Sequence, residues 1–145
     1  MKSFTKRDRQ KVVLDTNIII SALIAKEGAP AKLFEKLIVE EIENYTNKEI
    51  IKELKEVLER EEITKRTTKK ARNFILKQYL NNSMQIATKT KVKAVEHESD
   101  NKFIETALEA NAEYVITGDQ HLLKLREFKK INILKAKEFL EKTPF

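Results

Sequence analysis

Four carboxylates stand where an acid could do chemistry: Asp15, Glu53, Asp100 and Asp119. Asp15 ends the apolar run Lys11-Val12-Val13-Leu14, and Thr16 and Asn17 follow as capping residues for an apolar helix. So dense a run, with β-branched Val12 and Val13, predicts a strand buried on both faces. Its acid then lies at a strand's carboxyl end, the edge where open α/β sheets bind ligands. Asp119 repeats the design, with Tyr114-Val115-Ile116-Thr117, then Gly118 for a tight turn, the acid and a helix. Asp100 precedes Phe103, Ile104 and Ala107 at helical spacing, in the first turn and on the buried stripe of its helix. Glu53 borders the stripe of Ile50, Ile51, Leu54, Val57 and Leu58, while its neighbour Lys52 points to solvent.

Each acid also has a plain structural role. Asp15 and Asp119 can be helix caps, and Asp100 a first-turn acid favoured by the free N–H groups and the helix dipole. Glu53 can be a surface glutamate like Glu49, Glu56 and Glu59. The conjunction carries the argument further. Two strand-end acids and a first-turn acid at one edge repel one another, which is costly unless cations neutralise them. With no cysteine in the chain, a metal must be held by oxygens, aided at most by His97 or His121. Such a pocket suits the hard cations Mg²⁺ or Mn²⁺.

The elements that must position these acids fit one domain of 145 residues. Hydrophobic residues at 41% and charged ones at 36% describe a folded, globular chain. No apolar run reaches the roughly 20 residues of a membrane span, and no signal pattern opens the chain. Together with the absent cysteines this predicts a cytoplasmic protein without membrane contact. Net charge is +6, which favours a polyanionic partner such as nucleic acid.

Residues 1–10 read as a flexible basic tail, and 11–145 as a single domain. Strands are expected at 11–14, Ile42–Thr46, Met84–Thr88, 114–117 and Ile131–Leu134. Helices are expected after Asp15, to about Glu41, after a cap at Thr46 or Asn47, through Leu80, from Ser99 to Ala110, around Leu122–Leu125 and from Ala136. Phe74, Ile75, Tyr79 and Leu80 form the apolar face of the helix that ends near Leu80. The alternation predicts an α/β fold: a three-layer α/β/α domain around a central, mostly parallel five-stranded sheet.

Taken together, Val13-Leu14-Asp15-Thr16-Asn17, Glu53-Leu54, Asp100-Asn101-Lys102-Phe103 with Ala107, and Val115-Ile116-Thr117-Gly118-Asp119 resemble the PIN-domain ribonucleases. The chain is most similar to the branch that serves as toxins of toxin–antitoxin systems, from about Lys11 to Leu140. The resemblance implies that Asp15, Glu53, Asp100 and Asp119 are the catalytic and metal-binding quartet. Asn17 and Thr117 match supporting polar positions, and Ser21 lies on the helix facing the site. A register slip would replace Glu53 by Glu49 or Glu56. Relatives in this branch often carry an acid where His121 stands, which leaves His121 to bind metal, touch phosphate or face solvent.

The implied activity is Mg²⁺- or Mn²⁺-dependent endonucleolytic hydrolysis of RNA, with one or two metals, leaving a 5′-phosphate and a 3′-hydroxyl. An acid pocket repels a phosphate backbone, so cations must surround it. Lys65, Arg66, Lys69, Lys70, Arg72 and Lys102 are the candidates, with the run Lys89, Lys91, Lys93. A homodimer is expected, with the apolar helical hairpin between Glu49 and Leu80 as its interface, and a cognate antitoxin is a further expected partner. Aspartyl-nucleophile phosphatases place a second acid two residues after the first, where this chain has Asn17. The alternative function is a catalytically inert PIN-like module that binds RNA or protein.

Overall fold

Val12, Val13 and Leu14 are wholly buried, as their β-branched run requires of a strand covered on both faces. The computed structural model describes residues 9–96 and 98–145, so most of the expected tail and His97 lie outside the described residues. Among the described residues six strands form one sheet: β1 (Gln10–Leu14), β2 (Ile42–Thr46), β3 (Ser83–Gln85), β4 (Tyr114–Ile116), β5 (Glu127–Phe128) and β6 (Ile131–Leu134). Their order is β3-β2-β1-β4-β6-β5, and every pairing is parallel except β5 with β6. Gln10 already pairs with Ile42, one residue earlier than the tail boundary predicts.

The five expected strands are present, and β5 is an unexpected sixth. It folds back on β6 through Lys129 (φ 45°) and Lys130 (φ 73°), with Phe128 opposite Ile131. Positive φ at both central residues gives the twist that a two-residue hairpin needs. That turn is normally signalled by Asn-Gly or Asp-Gly, and Lys-Lys hides it.

Among the described residues eight helices cover the sheet: α1 (Thr16–Ile24), α2 (Ala29–Ile38), α3 (Lys48–Leu58), α4 (Glu61–Thr64), α5 (Lys69–Asn81), α6 (Glu98–Ala110), α7 (Gln120–Leu123) and α8 (Ala136–Lys142). Side chains alternate across the pleat, so Val12 and Leu14 pack under Leu33, Phe34, Tyr79 and Phe139. Val13 and Val115 meet Phe103, Ile104, Ala107 and Leu122 on the other face. Each fully buried side chain of this size contributes roughly 1.5–3 kcal/mol. The layers are therefore α/β/α. Helix α3 spans both cores, with Ile50 in one and Leu54 and Leu58 in the other.

Asn47, not Thr46, caps α3, its Oδ1 accepting from the Ile50 N–H at 2.9 Å, because Thr46 is held in β2. Helix α2 ends at Ile38 instead of Glu41, where Glu40 turns left-handed. One expectation about α5 fails. Ile75 and Tyr79 are buried, but Phe74 is 57% exposed and Leu80 lies at the surface too. An apolar stripe spread over adjacent positions is wider than the contact the helix makes. Among the described residues no helix is long and apolar enough to cross a membrane.

Candidate active site

Where β1 ends, the Asp15 N–H still donates to the Ile116 carbonyl at 2.9 Å, and the chain then turns into α1. The two carboxylate oxygens of Asp15 have different partners. Oδ1 caps the helix, accepting from the Asn17 N–H at 3.1 Å, and Oδ2 accepts from the Thr117 hydroxyl at 2.6 Å. Cap and site are thus one residue. Asp15 is only 5% exposed. Burial pushes its carboxyl from 3.8 up to about 6, against the pull of Thr117 and Asn17 and with a further push from the charges of Glu53 and Asp100. Those last two effects place Glu53 and Asp100 within electrostatic reach of Asp15.

Thr117 ties the two strand ends together. Its oxygen accepts from the Asp119 N–H at 2.9 Å while its hydroxyl serves Asp15. Asn17 makes a second tie, its Oδ1 accepting from the Gly118 N–H at 3.3 Å. Asp119 caps α7, accepting from the His121 N–H at 2.7 Å. Ser21 is exposed one turn beyond Asn17 on α1, and His121 is exposed on α7.

Glu53 reaches the site on α3, and Asp100 sits in the first turn of α6. A polar tie that sequence reasoning missed sets the spacing of these helices. The cap residue Asn47 donates from Nδ2 to Thr106 Oγ1 at 2.9 Å, and the Thr106 hydroxyl donates to the Lys102 carbonyl at 2.7 Å. Lys102 then donates from Nζ to Glu53 Oε2 at 2.8 Å. This corrects its expected place among the surface cations, because Lys102 is only 5% exposed. Beneath the site, the Tyr79 hydroxyl donates to Thr46 Oγ1 at 2.7 Å, and burial pushes that phenol up to about 12.

The remaining cations are mostly at the surface. Lys65, Arg66, Lys69 and Lys70 are exposed, with Lys65 paired to Glu61 at 3.0 Å. Arg72 is engaged by the Thr67 carbonyl and hydroxyl at 3.2 and 3.0 Å, holding the turn before α5. The basic stretch after β3 is strapped to α6. Glu109 accepts from the Lys89 and Thr90 N–H groups, Glu105 from Val92, and Asn101 from Ala94 and Val95. Nothing in the local pattern of that stretch announces the strap, because its partners lie one helix later.

The donor chemistry fits a hard divalent cation. The acids offer only oxygens, and Asp15 is a buried carboxylate whose ionisation two neighbouring negative charges oppose. Among the described residues, no three His, Asp or Glu side chains are gathered closely enough to hold an ion as they stand. Asp119 faces its own helix and Glu53 faces Lys102. Asp15 likewise lends both its oxygens, to the Asn17 N–H and the Thr117 hydroxyl.

Comparison with known proteins bears on the fold and the family. A relative from Methanocaldococcus jannaschii, an uncharacterized protein, is 37% identical over 140 residues, covering 90% of each chain. The fold is also similar to VapBC2 of Rickettsia felis, solved bound to a DNA fragment from its promoter. That likeness has a TM-score of 0.59 at 15% identity and covers 86% of this chain and 97% of that one. The PIN domain profile matches residues 11–121, a span that holds all four acids and the strands and helices that carry them. The chain belongs to the PIN-domain family.

Proposed function

We propose that this protein is a metal-dependent endoribonuclease that hydrolyses RNA phosphodiester bonds, and that it acts as the toxin of a toxin–antitoxin pair. PIN domains are generally nucleases. The observation that carries the reading furthest is Asp15: a buried carboxylate at a central strand end, within reach of the charges of Glu53 and Asp100. A carboxylate in that setting is held for a cation or a proton, and a cap alone needs neither.

Asp15, Asp100, Asp119 and Glu53 would hold Mg²⁺ or Mn²⁺, which when bound offsets charge on the phosphate and makes bound water more acidic. Thr117 and the Asn17 N–H fix the direction of the Asp15 oxygens before substrate arrives. Glu53, held by Lys102, would orient the attacking water. Attack by water leaves a 5′-phosphate and a 3′-hydroxyl, so the ribose 2′-hydroxyl takes no part. Exposed Lys65, Arg66, Lys69 and Lys70 draw in the RNA backbone, which makes binding salt-dependent.

Phe74 on α5 is exposed beside Ala22, Leu23 and Phe34, an apolar surface that suits a homodimer in the expected helical region. The likeness to VapBC2 supports an antitoxin as a further partner. The test is cleavage of single-stranded RNA by the purified chain with Mg²⁺ or Mn²⁺, with EDTA, and with D15N. Cleavage that needs the metal and vanishes in D15N supports the reading. Equal cleavage by wild type and D15N contradicts it, and salt-sensitive binding of several RNAs with no cleavage favours the inert module.

A further inference from the structure

Lys102 is a long cationic side chain almost sealed inside an acidic site. Its ammonium is 2.8 Å from Glu53 Oε2 and 4.7 Å from the centre of the Phe103 ring. The Asn47–Thr106–Lys102 chain of hydrogen bonds fixes α6 against α3, so the pair does not depend on a chance rotamer. Stability alone is a poor reason to bury a lysine. Desolvating an ion pair offsets most of its attraction, and an apolar side chain of the same volume usually does as well. The ammonium also sits where it matters electrostatically, bound to one of the two acids whose charge reaches Asp15.

We infer that Lys102 is a positioning residue that serves as the pocket's resident monocation, holding Glu53 and limiting the site to one divalent ion anchored on Asp15. The inference rests on the nuclease reading for its metal. Lys102 lowers the formal charge of the four acids from minus four to minus three, so one divalent ion leaves only minus one, too little to hold a second. A second divalent ion would have to displace the lysine from Glu53. Removing the ammonium frees that carboxylate and deepens the negative potential.

The test is Mn²⁺ titration of the full chain by electron paramagnetic resonance, on wild type, K102M, K102R and D15N. Wild type and K102R are expected to bind one Mn²⁺. K102M is expected to take up a second ion, or to bind the first about tenfold more tightly as one nearby positive charge is lost. K102Q replaces K102M if the latter does not fold. Two ions in wild type, none in wild type, or identical titrations for wild type and K102M overturn the inference. The pair is also read without metal, by urea unfolding in EDTA of K102M, E53Q and the double variant. Losses that fail to add support the contact, and additive losses overturn it. A Lys102-dependent titration in a protein that cleaves no RNA leaves this inference standing and defeats the nuclease reading.

Discussion

Asp15 closes β1 and Asp119 follows β4, and each carboxylate caps the helix that comes next. From there the two diverge. Asp15 is buried, bonded through both oxygens and pushed up to about 6, whereas Asp119 is half-buried and lends one oxygen to a four-residue helix. The surroundings make the difference. The charges of Glu53 on α3 and Asp100 on α6 act on Asp15, while Asp119 opens the four-residue α7. The same strand–acid–cap design thus yields a buried acid in one place and a half-buried one in the other, which the nuclease reading makes anchor and rim.

The largest expected effect separates the two acids in catalysis. D15N should lower RNA cleavage at least about a thousandfold, and D119N by roughly 10–100-fold, as for a group that supports a metal site from its edge. Single-turnover rates at saturating Mn²⁺ measure both. Equal losses would erase the distinction between anchor and rim.

In metal-free protein the order reverses. The folded-state pKa of Asp15 is raised above its usual value, so the folded chain holds its proton more tightly than the unfolded chain does. Ionising Asp15 therefore costs stability as pH rises from about 4 to 6, and at neutral pH the full cost, up to about 3 kcal/mol, is present. D15N should be the more stable protein by up to that amount at pH 7.5 in EDTA, with the gain gone near pH 4. D119A should instead lose about 1 kcal/mol from the lost cap. Urea unfolding across this pH range reads both signs.

A smaller effect tests the link between the strand ends. T117V keeps the shape but removes the hydroxyl that serves both acids, and should weaken Mn²⁺ binding about tenfold. Smallest of all is K130G, remote from both acids at the β5–β6 turn. Relief of a left-handed lysine should add roughly 0.5 kcal/mol without altering cleavage, measured by thermal melting and a rate assay.

The strands and strand-end acids were legible because their signals are local. A β-branched run, an acid and capping residues follow one another, and β1 and β4 fall where those signals put them. Lys102 reads in the sequence as one more cation around the acid pocket. Residues 101–107 of α6 are all buried, so periodicity could not tell a surface lysine from an internal one. Phe74 failed for the opposite reason, since its helix carries more apolar surface than the fold covers. The Asn47–Thr106 tie joins residues 59 apart, and no local pattern announces such a partner.

The central claim is that Asp15 anchors the divalent cation of an RNA-cleaving site. Anomalous scattering from crystals soaked in Mn²⁺ tests it most directly. The account predicts a peak about 2.1 Å from a carboxylate oxygen of Asp15. A peak held by Asp119 with none at Asp15, or no peak at the four acids, would contradict it.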